Sequence, residues 1–214
     1  MERKDLLKSN LKELLKEKKF KNILLAGLKL MKPSKIRILS LIIILIVMIK
    51  PSIDIISSNH TLESIISICE FSNDIIKDLF GIIFTGYALF QALIGVNSLK
   101  QMLIINIGKY STFKTYNLYF FMISIIYLSI ILLNYILLII FKNVDTSFIN
   151  AFVPNNIKNI FEFIFIIGYV TINIFAISEI KSFLVNMYYC FNLSVFSEGI
   201  EMVKEYSDEE DKEN

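Results

Sequence analysis

Residues 119–141 form a run of 23 without a single charged side chain. As a helix rising 1.5 Å per residue, this run covers roughly 34 Å, enough to cross the ~30 Å hydrocarbon core of a bilayer. A second uncharged run occupies residues 79–96 and lengthens into a span when Leu99 and its neighbours are added. A third, 160–180, spans if Glu162 and Glu179 sit at the two interfaces. With 55% hydrophobic residues and a mean hydropathy of +0.60, the chain is too apolar for a water-facing surface. It reads as an all-α integral membrane protein.

The first apolar segment is the weakest. Only twelve residues, 38–49, separate Arg37 from Lys50. They cover roughly 18 Å, so a full crossing needs snorkelling cations and help from Ile36, Ile53, Ile55 and Ile56. Pro51 is expected to kink or end this helix near the far interface. The competing reading is a re-entrant or interfacial segment. No small-residue cleavage pattern follows the run, so it is expected to stay in the mature protein.

Lysine and arginine decide the orientation. In a four-span arrangement with spans at about 34–56, 79–99, 119–141 and 160–180, the inner segments carry 18 Lys or Arg and the outer ones 4. With three spans, the best partition is 16 against 6. The sequence therefore predicts a four-transmembrane-helix bundle in a cell membrane, with both termini cytoplasmic. Outer loops are expected at 57–78 and 142–159, and an inner loop at 100–118. Abundant Ile, Lys and Asn with no Trp hint at an AT-rich genome and a bacterial source.

Residues 1–33 read as a basic amphipathic cytoplasmic segment: Leu7, Leu11, Leu14 and Leu15 recur at helical spacing among lysines. Lys12, Lys16, Lys18, Lys19, Lys21, Lys35 and Arg37 are candidates for contact with anionic lipid headgroups. Binding of nucleic acid is not expected, because the stretch lies directly before a membrane segment and carries no recognised module. A short amphipathic helix is predicted within the first outer loop, where Leu62, Ile65, Ile66 and Cys69 are spaced for one face. The second helix is expected to continue into the cytoplasm and stop near Gly108. The fourth is expected to extend through 183–206, on the stripe Phe183, Leu184, Met187, Tyr188, Phe191 and Val195, before an acidic disordered tail at 207–214.

The clearest pattern inside a span is Gly81, Thr85, Ala88, Ala92 and Gly95, spaced 4, 3, 4, 3, with Gln91 at its border. Such a face lets helix backbones approach closely in lipid. It therefore predicts the tightest helix contact, or alternatively the lining of a pore. Ser124, Tyr127, Ile131 and Asn134 share a face of the third span, and Glu162, Tyr169, Asn173 and Ala176 a face of the fourth. Asn134 and Asn173 suit hydrogen bonding between helices, and Glu162 is an ionisable group at a span end.

One histidine cannot build a His-based metal site, and Cys69 and Cys190 fall on opposite membrane faces in the four-span arrangement. With no phosphate loop and no nucleophile and base set, no catalytic residue, cofactor or metal is expected. The pattern favours a non-enzymatic membrane module that self-associates and engages a cytoplasmic protein. By analogy this would be an immunity, defence or anchoring component. The alternative is a subunit of an oligomeric ion channel or small transporter.

Overall fold

The computed structural model describes residues 3–16, 19–31, 34–58, 60–143 and 155–213. Among these residues are seven helices and one hairpin. In chain order they are α1 (Arg3–Leu14), α2 (Phe20–Leu30), α3 (Lys35–Ile56), α4 (Thr61–Leu93), α5 (Val96–Ile104), β1 (Asn106–Ile107), β2 (Tyr110–Ser111), α6 (Thr112–Asn143) and α7 (Asn155–Glu213). The described residues are all-helical apart from that hairpin and short connections, and α3, α4, α6 and α7 are long and apolar enough to cross a membrane.

Helix α3 begins at Ser34, whose Oγ accepts the Arg37 N–H at 3.3 Å, a cap that satisfies one of the orphan donors of the first turn. Pro51 lies inside the helix and does not end it. The ring removes one hydrogen bond to the preceding turn, but the ladder resumes and the Ser57 N–H closes on the Ile53 carbonyl at 3.0 Å. The 22 residues cover roughly 33 Å, so the shortfall suggested by the interval between Arg37 and Lys50 disappears once both polar flanks are helical.

The remaining boundaries differ from those expected. Residues 61–78, expected as loop with a separate amphipathic helix, are the start of the 33-residue α4. No proline or glycine lies between 61 and 80, so the charges of Asp74, Lys77 and Asp78 interrupt hydropathy without interrupting the helix. At its other end α4 stops at Leu93, and a new helix starts after Gly95. The second span helix is therefore extended at its N-terminal end, not toward Gly108.

Residues 100–118, expected as an inner loop, contain the end of α5, the hairpin and the first turns of α6. Gly108 has φ +62° and opens the two-residue connection between Ile107 and Tyr110. A type II′ turn requires that conformation at its first central residue. Residues 142–143 and 155–159 of the expected second outer loop are helical, and 144–154 lie outside the described residues. At the C-terminus the helix continues through Glu213 where a disordered tail was expected. Adding a residue to an existing helix carries no nucleation cost, and Glu and Lys are good helix formers.

The chain divides into two compact units. One comprises Met1–Lys32, Ile82–Ser124 and Lys181–Asn214, the other Pro33–Gly81 and Ile125–Ile180. The first is centred on Phe120, fully buried, with ring neighbours Phe90 at 5.0 Å, Phe183 at 5.5 Å and Tyr119 at 5.7 Å. Those edge-on pairings match the ring quadrupoles. The second packs Ile65, Cys69, Ile166 and Tyr169 together, with Ile55, Ile56, Phe141 and Phe165 against them.

Candidate functional site

Buried polar groups of the second unit face one another across α6 and α7. Tyr127 and Asn134, both fully buried, are seven residues apart and so share a face of α6. The Tyr127 hydroxyl donates to the Ala176 carbonyl at 2.6 Å, and the Tyr169 hydroxyl donates to Asn134 Oδ1 at 2.8 Å. Asn173 Nδ2 donates to the Tyr169 carbonyl one turn earlier in α7, at 2.8 Å. Both amides named from the sequence are thus in the interior, but their partners are the hydroxyl and the backbone carbonyl of Tyr169 rather than each other. Asn134 Nδ2 and Asn173 Oδ1 are buried with no hydrogen-bond partner among the described residues.

Two ion pairs mark the ends of this interior. Arg37 Nη2 lies 3.1 Å from Glu179 Oε2, and Lys142 Nζ lies 2.6 Å from Glu70 Oε1. The first joins α3 to α7 and the second joins α6 to α4. Ile55 and Ile56, at the other end of α3 from Arg37, pack into the cluster around Cys69 and Tyr169. The helix therefore runs the length of this unit and does not fold back within it. Glu162 is half-buried and lies 3.9 Å from Lys158, one turn before it on the same helix.

The small-residue face of α4 is left uncovered within the chain. Gly81, Thr85, Ala88, Gln91 and Ala92 are all exposed, and a Cβ at Gly81 would meet nothing within 4 Å. The close approaches occur at glycines outside that face. Gly86 packs against the Phe183 ring, and Gly27 of α2 against the Met122 side chain. Gly95, expected to continue the face, lies beyond the end of α4 and precedes α5. A Cβ there would come within 2.6 Å of Glu198 Oε1. That carboxylate, from α7, also lies 3.4 Å from Ser98 Oγ in the first turn of α5. It complements the positive end of that helix's dipole.

No family model, curated protein or solved structure matches the chain.

At the N-terminal segment, the stripe of leucines is split between two environments. Leu7 and Leu14 are half-buried, Leu11 and Leu15 are exposed, and the buried residue of α1 is Asn10. Its Nδ2 donates to the Leu103 carbonyl at 2.6 Å and to Asn106 Oδ1 at 3.1 Å. Lys114, 3% exposed, donates to the Glu13 carbonyl at 3.3 Å, and its ammonium sits 4.4 Å from the centre of the Tyr110 ring. Helix α1 is thus held by α5, the hairpin and the start of α6. Lys12, Lys16, Lys19, Lys21 and Lys35 are exposed, Arg37 is half-buried, and Lys18 lies outside the described residues.

Among the described residues no three His, Cys, Asp or Glu side chains are grouped to hold a metal ion. Cys69 and Cys190 are free and buried. The arrangement can fasten helices to one another and present two kinds of free surface, the α4 face and the outward side of α7.

Proposed function

We propose that this chain is a non-enzymatic, multi-pass inner-membrane protein of a bacterium that self-associates through α4 and couples the membrane to a cytoplasmic protein. Both termini lie in the cytoplasm, where the basic residues contact anionic headgroups. An immunity, defence or anchoring role is the analogous function. One observation carries the reading. The small residues of α4 are exposed along one stripe of an apolar helix, so the surface best suited to close backbone contact with another helix is left open within a single chain. The excess of 18 over 4 Lys and Arg on the inner segments supports the orientation.

Two differently tagged copies, co-expressed and extracted in mild detergent, should purify together, and Ala88→Leu or Ala92→Leu should weaken that association. Recovery of monomers with no bound protein would overturn the reading. The exposed, weakly polar face bordered by Gln91 also favours a second reading, an oligomeric channel or small transporter. In that case purified protein in liposomes should pass ions, and Ala88→Leu should change the flux.

A further inference from the structure

The 59 residues of α7 measure roughly 88 Å, whereas hydrocarbon accommodates about 20–25 of them. Residues 163–178 are the uncharged portion between Glu162 and Glu179, so the turns from 183 onward lie outside the hydrocarbon. The helix is unbroken there, with no proline that would let it turn to lie along the headgroups. Those turns carry two opposite faces. Phe183, Met187, Cys190 and Ser197 are buried within the chain. Two residues out of phase with them, Val185, Tyr188, Val195 and Met202 are 43%, 63%, 74% and 59% exposed.

With Asn192 and Gly199 between them, these outward residues are spaced 3, 4, 3, 4, 3 and continue to Tyr206, which is 70% exposed. Tyr189, Phe196 and Val203, 56–67% exposed, widen the stripe on one side. The stripe leaves a contiguous run of apolar side chains exposed, the kind of surface that marks an interaction site.

Three features of the stripe specify its occupant. Alternating spacings of three and four are the seam of supercoiled helices. Phe196, Gly199, Ile200 and Val203 stand at i, i+3, i+4 and i+7 around an apolar groove. Four residues in that relation form the hole that receives one side chain of a facing helix. The bilayer inserts every copy with the same orientation and depth, so equivalent helices meet in parallel with identical residues at the same height. Self-pairing then requires central positions that tolerate their own twin. All seven are uncharged, Gly199 permits close approach, and the Asn192 amide can both donate to and accept from another amide. The acids beginning at Asp208 follow the last seam position.

We infer that the outward face of α7 from Val185 to Tyr206 is a parallel, in-register seam between copies of this chain. This deepens the self-association reading by giving it a second surface. The test uses single cysteines in the full-length protein, in membranes treated with a mild oxidant. The unsubstituted chain, with both native cysteines buried, supplies the background. Val195→Cys and Met202→Cys should trap disulfide dimers several-fold more efficiently than Lys8→Cys, which is exposed on α1 and is no part of the seam. Equal trapping at all three positions overturns the inference, and the face then belongs to a different protein. Ala88→Cys reads the α4 surface separately. Dimers at 88 with none at 195 or 202 refute this seam and leave the α4 reading standing. Dimers at 195 and 202 with none at 88 support the seam and refute α4. Should Met202→Cys fail to accumulate, Val195→Cys one heptad earlier carries the same decision.

Discussion

Arg37 Nη2 on α3 lies 3.1 Å from Glu179 Oε2 on α7, and the two side chains are 29% and 10% exposed. That oxygen receives no well-aligned hydrogen bond, so the contact is mainly Coulombic. Removing one member of a fully buried pair costs about 3–5 kcal/mol because a charge is left uncompensated. Here partial contact with water reduces the effect, and Arg37→Ala should lower stability by about 2 kcal/mol. Glu179→Ala should cost a similar amount, and the double variant less than the sum. Thermal unfolding of the four proteins in one detergent measures the coupling.

Asn10 is the single buried residue of α1, and its amide is a donor to two acceptors, the Leu103 carbonyl and Asn106 Oδ1. Asn10→Ala should weaken the docking of α1 by about 1–2 kcal/mol, since both bonds vanish and a buried carbonyl loses its donor. Asn10→Asp should be worse than Ala, because a carboxylate would face two acceptors at the same positions. Limited proteolysis distinguishes them, with cleavage around 3–16 accelerating in the order wild type, Ala, Asp while the rest of the chain stays resistant.

The four long apolar helices were legible in the sequence because hydropathy reports what lipid requires, and lipid acts on composition. Helix ends were less legible. The stripe Leu62, Ile65, Ile66 and Cys69 marks one face correctly, and Ile65 and Cys69 are core residues of their unit. Yet Asp74, Lys77 and Asp78 look like a loop to a scale that reads polarity, while the backbone ladder is indifferent to them. Gly95 fits a 4, 3, 4, 3 series and still lies outside the helix, because its extended backbone caps the start of α5. The stripe from Phe183 to Val195 mixes buried Phe183 and Met187 with exposed Leu184, Tyr188 and Val195, since an apolar residue identifies a surface but not which of two surfaces. Partners such as Glu179 for Arg37 or Tyr169 for Asn134 depend on tertiary packing and leave no local signal.

Gly95 and Glu198 make a prediction whose sign depends on background. Gly95→Ala places a methyl against Glu198 Oε1 and pushes the carboxylate away from the start of α5, with a loss of about 1 kcal/mol from the helix dipole and the Ser98 contact. In a Glu198→Ala background the space is vacant. Gly95 has φ −70° and ψ 168°, a conformation open to any L residue, so alanine should there stabilise by about 0.5 kcal/mol through reduced freedom of the unfolded chain. Unfolding midpoints of the four proteins decide it. A loss that persisted without Glu198 would mean that the carboxylate is not the obstacle.

Helix α3 carries the topological question on which the location of both termini depends. Its length of 22 residues matches a bilayer crossing, and its two ends contact different ends of the second unit, Arg37 at Glu179 and Ile55 with Ile56 at the Cys69 cluster. A re-entrant segment would return both ends to one side. Lys35 and Ser57 flank the helix and are exposed, so single cysteines at these positions should insert without disturbing packing. In intact cells a membrane-impermeant maleimide should label Ser57→Cys and leave Lys35→Cys unlabelled until the membrane is opened. Removing one lysine from the twelve Lys and Arg of residues 1–37 leaves the charge bias nearly intact, so the variant reports the native orientation. Labelling of both positions from the same side would show that α3 does not cross, and the chain would then have three spans with its ends on opposite faces.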